Sequence, residues 1–597
     1  MAYPDESNYE FLYGGTPTSL EPEYGELFTG YRIGAARIGA ATSIQTANQI
    51  TEVSNRLSEG VKTVEVQPLS EDVFEVIPKQ HLKEINRLSK LTGSEVTVHA
   101  PMIEPSGFTD RGWSEGERAA AEEHLKSIVE RSHEMNPQAH VTIHATAGLP
   151  GTQKFFAKGE EREEQMTAIN QDTYQMAPLR REEAYDPQKD KIRMYEPEER
   201  LKVINESEWV NSISNLAFYK KQADEILEVV QPALIAYKEK MEQLAKGEIK
   251  LEDLTQEQRV AIGQLNEQAS RAQTFLGNVD ASIRNLYEKA YKFGDSETKK
   301  DLLKVFEFRK KFKEEAKEKK LAFPEYIAAE SRLVDGQINA LNNTRPPQLY
   351  IPAEEFAIDK SATTLGNVAF KAYKEFGEKS PIVSVENVFP GMAFSRAEEL
   401  KQLIEKSREK FVEAARKEGY GESAARAASA RLIGATWDIG HINLLRRAGY
   451  KEEKVIEETK KIAPYVKHVH LADNFGFSDS HLPPGMATMP TKKTMEALEK
   501  AGYKGKAIIE AGKFVMHFKV SPHPYVLEAL GSPMYSAYMA PFWNQMRGTT
   551  GTYFAGYGTI LPEEHFTMYG GGFAGMPVEL GGQMPGKKSR LAGTPTE

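Results

Sequence analysis

The chain has 597 residues, 86 acidic and 76 basic, giving a formal charge of −10, with 40% hydrophobic residues and no cysteine. This balance excludes a collagen and a wholly disordered chain, and no run approaches the ~20 consecutive apolar residues of a bilayer span. Without cysteine there is no disulfide, no thiol nucleophile and no thiolate metal site, so any metal must sit on His, Asp and Glu.

Residues 1–30, rich in Tyr, Pro, Gly and Glu, read as an N-terminal arm. They carry no basic end followed by an apolar core, so a cytoplasmic location is expected, with no membrane partner. From Tyr31 a rhythm begins. The apolar run Tyr31–Ala36 predicts a first strand, followed by a helix over Ile44–Leu57. A strand at Val61–Val66, a helix at Lys79–Leu91, a strand at Val96–His99, a helix at Glu115–His133 and a strand at His140–His144 follow. Short β-rich runs alternating with longer amphipathic helices are the pattern of βα units around a parallel sheet.

The rhythm stops near Pro150 and resumes after about Pro352. Helices at Thr363–Phe376, Arg396–Glu418, Glu452–Ala463 and Thr491–Ala501 then alternate with strands at Ile382–Glu386, Gly434–Asp438, Val466–His470 and Lys506–Glu510. Eight strands predict a (β/α)8 TIM barrel, split into residues 31–150 and 351–530; no glycine-rich phosphate loop follows the first strand, which disfavours an open doubly wound sheet.

The interruption, 151–350, differs in kind. Ile262, Leu265, Ala269, Ala272, Leu276, Val279, Ile283, Leu286 and Ala290 alternate in steps of three and four, a coiled-coil-like heptad seam. A looser version runs over Trp209–Leu244, with Pro232 as an expected kink, so the two helices should form an antiparallel hairpin joined near Gly247. A basic helix over Lys299–Lys320 reads as a solvated face. Because the insertion follows the fourth strand, it is expected to act as a lid or to bind a partner. The extension 531–597, rich in Gly and Tyr, cannot form a long regular helix.

What ends each strand carries the chemistry. The third closes on His99 (VTVHAPM), the fourth on His144 (VTIHATAG) and the fifth on Glu386 (VSVENVFPG). The sixth closes on Asp438, with His441 three residues on (TWDIGH). The seventh closes on His470, with Asp479 and His481 beyond, and the eighth on Glu510 (AIIEAG). In a (β/α)8 barrel the carboxyl ends of the strands meet at one mouth, where active sites lie. One histidine at a strand end is more often structural than a ligand; six successive strand ends of this type are not. Clustered carboxylates repel, so a cation is the natural compensation, and imidazole mixed with carboxylate suits Zn²⁺, Mn²⁺ or Fe²⁺. His468, two residues before His470, reads as core or as a support behind the donors.

HAPM, TIHATAG, VEN, DIGH, HLADN…DSH and IIEAG resemble the xylose-isomerase-like barrel superfamily, and within it the endonuclease IV family of apurinic/apyrimidinic endonucleases. IGAARIGAATSIQTA resembles that family's first strand and turn. The likeness covers about 31–150 and 346–515. It implies up to three Zn²⁺: one on His99, His144 and Glu386, a second on Glu386, Asp438, His470 and Glu510, and a third on His441, Asp479 and His481. It implies hydrolysis of a phosphodiester at an abasic site in DNA, with Glu386, Asp438 and Glu510 as the catalytic set and Met102, Ile103, Asn387 and Asn474 as substrate contacts. Ser480 stands where the family's D-R-H loop has Arg, and Met102-Ile103 where it has an aromatic-aliphatic pair.

The alternative is a metal-dependent sugar or sugar phosphate isomerase or epimerase of the same superfamily. It would hold one Mn²⁺ or Mg²⁺ on Glu386, Asp438, His470 and Glu510, with the two glutamates moving a proton on opposite faces of the sugar. A third reading is a non-enzymatic barrel scaffold.

Overall fold

Runs such as Val96-Thr97-Val98, Val141-Thr142-Ile143 and Ile382-Val383-Ser384-Val385 favour extended backbone that is buried on both faces, as parallel strands require. In the computed structural model eight of them close into a parallel ring, each beside its neighbours in sequence. They are β1 (Ile38–Ala41), β2 (Thr63–Val66), β3 (Glu95–His99), β4 (His140–His144), β5 (Ile382–Glu386), β6 (Ile433–Asp438), β7 (Val466–Leu471) and β8 (Ala507–Ile509). The structure describes residues 37–518 apart from 45, 68–69, 187–189 and 319–321, together with 522, 526, 590–591 and 594–595. The expected arm, the Tyr31–Ala36 run and nearly all of the glycine-rich extension lie outside the described residues. The first strand is therefore corrected to Ile38–Ala41, whose Gly-Ala-Ala content carries little strand signal. Among the described residues, no helix is long and apolar enough to cross a membrane.

The described residues fall into two compact units, one running to Arg162 and resuming at Ala357, the other Glu163–Phe356. In the barrel unit, the crossover helices bury apolar residues at three- and four-residue spacing. Lys79–Thr92 buries Leu82, Ile85 and Ser89, and Ala397–Lys417 buries Leu400, Leu403, Ile404, Ser407 and Phe411.

Alternation along the strands decides which side chains enter the ring. On β6, Trp437 points outward and its Nε1 donates to Thr459 Oγ1 of the helix Glu452–Ile462 at 3.1 Å. Its neighbour Thr436 points inward and meets Thr142 of β4 at 3.0 Å. Register then sets the height of each donor. His144 lies opposite Glu386, and Asp438 opposite His470. The β6–β7 pairing shifts between Ala435 and Thr436, where Lys467 is the extra residue on β7. Without that bulge the β7 side chains beyond it would change face, and His468 and His470 would leave the interior.

In the second unit the seam Ile262–Ala290 is buried along the helix Gln256–Phe293. It packs in one hydrophobic cluster with Trp209, Ile213, Leu216, Ala223, Leu227 and Val230 of the helix Pro197–Ala236. That helix runs through Pro232 and breaks at Tyr237, where Lys238–Lys246 begins. Further helices span Ser296–Glu318 and Phe323–Asn342. Two features depart from the sequence expectation. Phe323–Asn342 is a helix in its own right, and antiparallel strands precede the helices: Met176–Arg180 pairs with part of Glu160–Asn170, and Glu182–Asp186 with Lys191–Tyr195.

Candidate metal centre

The strand-end donors converge. One donor atom from each of Glu386, Asp438, His470 and Glu510 lies within 4.8 Å of the others, and the same holds for His441, Asp479 and His481. Glu386 is the hub. Its Oε2 accepts from Nε2 of His99 (3.1 Å) and His144 (2.9 Å), and its Oε1 from Nδ1 of His470 (2.7 Å). Glu510 Oε1 lies 3.4 Å from the same His470 nitrogen and accepts from Gln67 Nε2 at 2.7 Å. The site grades from a sealed floor to an open rim: Glu386, Asp438 and His470 are fully buried, whereas the His144, Asp479 and His481 side chains are about one-fifth exposed.

Local chemistry explains the Asp-Ile-Gly-His turn. Asp438 Oδ1 accepts from the His441 amide at 2.8 Å and so caps the short helix Ile439–Asn443. Gly440 is required because a Cβ there would sit 2.8 Å from that of Ala472. The cap uses only one carboxylate oxygen. Asp438 Oδ2 is buried with no hydrogen-bond partner among the described residues, and so is Asp479 Oδ1. An anionic oxygen sealed from water without a donor is costly unless a cation meets it. The donor set therefore fits a divalent metal.

The histidines are also oriented as ligands are. His441 Nδ1 donates to the Asn387 carbonyl (2.8 Å), His481 Nδ1 to the Glu510 carbonyl (3.2 Å) and His99 Nδ1 to the Ala100 carbonyl (2.9 Å). In each case Nε2 is left facing the carboxylates, the orientation that prepares an imidazole for a metal. His481 Nε2 lies 2.5 Å from Asp479 Oδ2, and His481 holds a left-handed backbone (φ 48°), a strain found at functional sites. The loop carrying this pair is built on Asp473, whose carboxylate accepts from the amides of Asn474, Gly485, Ala487 and Met489.

Packing treats the four expected substrate contacts differently. Ile103 is buried, while Met102 is 53% exposed and its sulfur meets His144 Nδ1. Both ends of the buried Asn387 amide are engaged by the Asp438 backbone (2.8 and 3.0 Å). Asn474 is buried too, donating to the Gly440 carbonyl and accepting from the Gly476 amide. These two asparagines brace the donors' backbone. The sequence drew no attention to Glu65 of the second strand or to Gln67 just past its end, the only signal being an acidic residue inside an otherwise apolar run. His468, read as a support, is buried and donates to Glu65 at 2.9 Å.

Electrostatics separate the carboxylates. Burial would raise Glu386, but the charges of His470 and His144 and their hydrogen bonds hold it well below the usual range. Burial raises Glu510, and the nearby anions Glu386 and Asp438 add to it against the pull of His470. Burial lowers His144. For His99 and His481 burial acts downward but is outweighed by Glu386 and Asp479 respectively, and both rise to about 9. In the metal-free chain these two imidazoles therefore hold protons near neutral pH, and a metal must displace them. Metal affinity is expected to climb from neutral pH to about 9, with protons released on binding. Calorimetry in buffers of different ionisation enthalpy reads this release. In the same metal-free chain, the stability these histidines contribute is complete below the unfolded value of about 6.5 and is lost as pH rises through about 9.

A cavity of about 570 Å³ opens at the other end of the ring, beside His140 and Ile382, the first residues of β4 and β5. It contains none of the nine donors.

A fructoselysine 3-epimerase of Shigella flexneri is 31% identical over 78 residues, 13% of this chain and 27% of that protein. An uncharacterized protein of Methanocaldococcus jannaschii is 37% identical over 78 residues, 13% of this chain and 25% of that protein. The chain thus spans about a quarter of the length of these curated relatives. A solved D-tagatose 3-epimerase-like protein aligns over 84% of this chain and 98% of its own at 12% identity, with a TM-score of 0.37. Residues 422–529, which hold β6 to β8 and six of the nine donors (Asp438, His441, His470, Asp479, His481 and Glu510), match the family model described as xylose isomerase-like TIM barrel. The last three strands of the closed eight-stranded parallel ring thus carry the likeness to the xylose isomerase-like TIM barrels.

Proposed function

We propose that this chain is a divalent-metal-dependent isomerase or epimerase acting on a sugar or sugar phosphate. The observation that carries the reading is the pairing of Glu386 and Glu510 in one four-donor cluster with Asp438 and His470, in environments that push the two carboxyls apart. A pair in which one group stays ionised and the other accepts a proton readily is the equipment for moving a proton. When bound, a divalent cation such as Mn²⁺ or Mg²⁺ polarises the substrate carbonyl and its neighbouring hydroxyl. One carboxylate takes the proton from the carbon beside the carbonyl and the other supplies a proton to the opposite face. His99, His144 and His441, with nitrogens facing the centre, orient the substrate oxygens. The activity in the Shigella relative's name, a 3-epimerase, is of the same class.

The test is exchange with solvent. In D2O with Mn²⁺, a panel of ketoses and their phosphates should gain deuterium at the carbon next to the carbonyl, read by NMR. No incorporation across the panel by metal-loaded protein would refute the assignment.

One observation favours a second reading, hydrolysis of DNA at abasic sites with up to three Zn²⁺. His441, Asp479 and His481 form a further donor group, and His99 and His144 flank Glu386, more ligands than one cation needs. Ser480 in place of arginine and the burial of Ile103 weigh against it. Nicking of a duplex with a single abasic site would support that reading over the first.

A further inference from the structure

Strand β2 supplies none of the nine donors, yet Glu65 on it and Gln67 just past its end lie behind the site. Glu65 is fully buried, with Oε1 3.1 Å from Nε2 of His470. Its Oε2 accepts from His468 Nε2 at 2.9 Å and from Thr97 Oγ1 at 3.0 Å. The opposite ring nitrogen of His470, Nδ1, faces Glu386 and Glu510. Gln67, two residues on, donates to Glu510 Oε1 at 2.7 Å and lies 3.3 Å from Glu65 Oε1.

A neutral imidazole has one N–H and one lone pair, and which nitrogen carries the hydrogen is set by what the other end meets. Once a metal displaces the Nδ1 hydrogen that Glu386 accepts in the metal-free chain, the carboxylate at Nε2 keeps the remaining hydrogen there and leaves the lone pair on Nδ1, directed at the donor cluster. His468 and Thr97 occupy the second oxygen, so Glu65 cannot swing away without breaking two more hydrogen bonds. Gln67 extends the support from β7 to β8.

We propose that Glu65 is a positioning residue that fixes the tautomer and ring plane of His470 for metal binding. This rests on the reading of the site as a metal centre. A carboxylate behind a ligating histidine contributes roughly a factor of 10–100 in metal affinity.

The experiment is Mn²⁺ titration of the full chain and of its Glu65→Gln and Thr97→Val variants, with Co²⁺ absorption spectra and circular dichroism of each. Glu65→Gln is expected to raise the Mn²⁺ Kd about 10- to 100-fold and to shift the Co²⁺ bands, with the folded spectrum retained. Thr97→Val, which removes a bond to the same carboxylate but leaves its contact with His470, should bind Mn²⁺ as the parent does. Glu65→Asp keeps the charge and shortens the reach; it should weaken binding less, and it is the variant to read if Glu65→Gln does not fold. If the parent binds Mn²⁺ and Glu65→Gln binds it equally, or if Thr97→Val weakens it as much, Glu65 is a packing residue and the inference fails alone. A parent that takes up no metal overturns the metal centre and this inference with it.

Discussion

Glu510→Gln is expected to lower turnover of the sugar substrate by about 10²–10⁴-fold, the usual worth of a positioned acid or base. The amide keeps the shape of the carboxyl and can still face Gln67, but it can neither take nor give a proton. Burial and the neighbouring anions place Glu510 on the high side of the carboxylate range, so it is the member of the pair suited to carry a proton. Glu386→Gln should behave differently. Glu386 holds three imidazoles at 2.7–3.1 Å, so its loss should remove metal and activity together. Steady-state kinetics beside metal analysis of each variant separates the two. Equal metal loss in both, or full turnover by Glu510→Gln, contradicts the assigned roles.

The second large effect is on stability. A ligand that binds only the folded chain stabilises it by RT ln(1 + [L]/Kd), about 2.7 kcal/mol at a hundredfold excess over Kd. Stripping the protein with a chelator should therefore lower its melting temperature, and returning Mn²⁺ should restore it. Asp438→Asn should abolish the restoration. The unpartnered Oδ2 is the oxygen offered to a cation, whereas the capping task of Oδ1 is one that Asn performs nearly as well. The variant should therefore melt close to the metal-free parent. Differential scanning calorimetry with and without Mn²⁺ reads both effects, and an Asp438→Asn chain still stabilised by metal would show that the cation sits elsewhere.

Much of this was legible in the sequence because strands and donors coincide. Seven of the eight barrel strands were readable from short runs of four to six residues, six of them ended by an ionisable side chain at the point where the chain leaves the ring. β1 was misplaced because its Ile-Gly-Ala-Ala run offers small residues in place of branched ones; Gly39 is needed there, since a Cβ would come 2.5 Å from the Thr63 carbonyl. The strands at residues 153–195 were missed because charges interrupt their alternation, as in Glu-Glu-Arg-Glu-Glu. Motif likeness pointed to Asn387 and Asn474 as substrate contacts; that their amides also brace the backbone of the donor turns is visible only in the fold. Glu65 escaped notice for a related reason. Its partners His468 and His470 stand some 400 residues away, and only closure of the ring brings them together.

The central claim is that the barrel mouth holds a divalent cation on Glu386, Asp438, His470 and Glu510. It is tested most directly by elemental analysis of the purified full chain after metal supplementation, beside the Glu386→Gln variant. At least one divalent ion per parent chain is expected, and its loss from the variant. A parent without bound metal, or a variant that keeps the full complement, would contradict it.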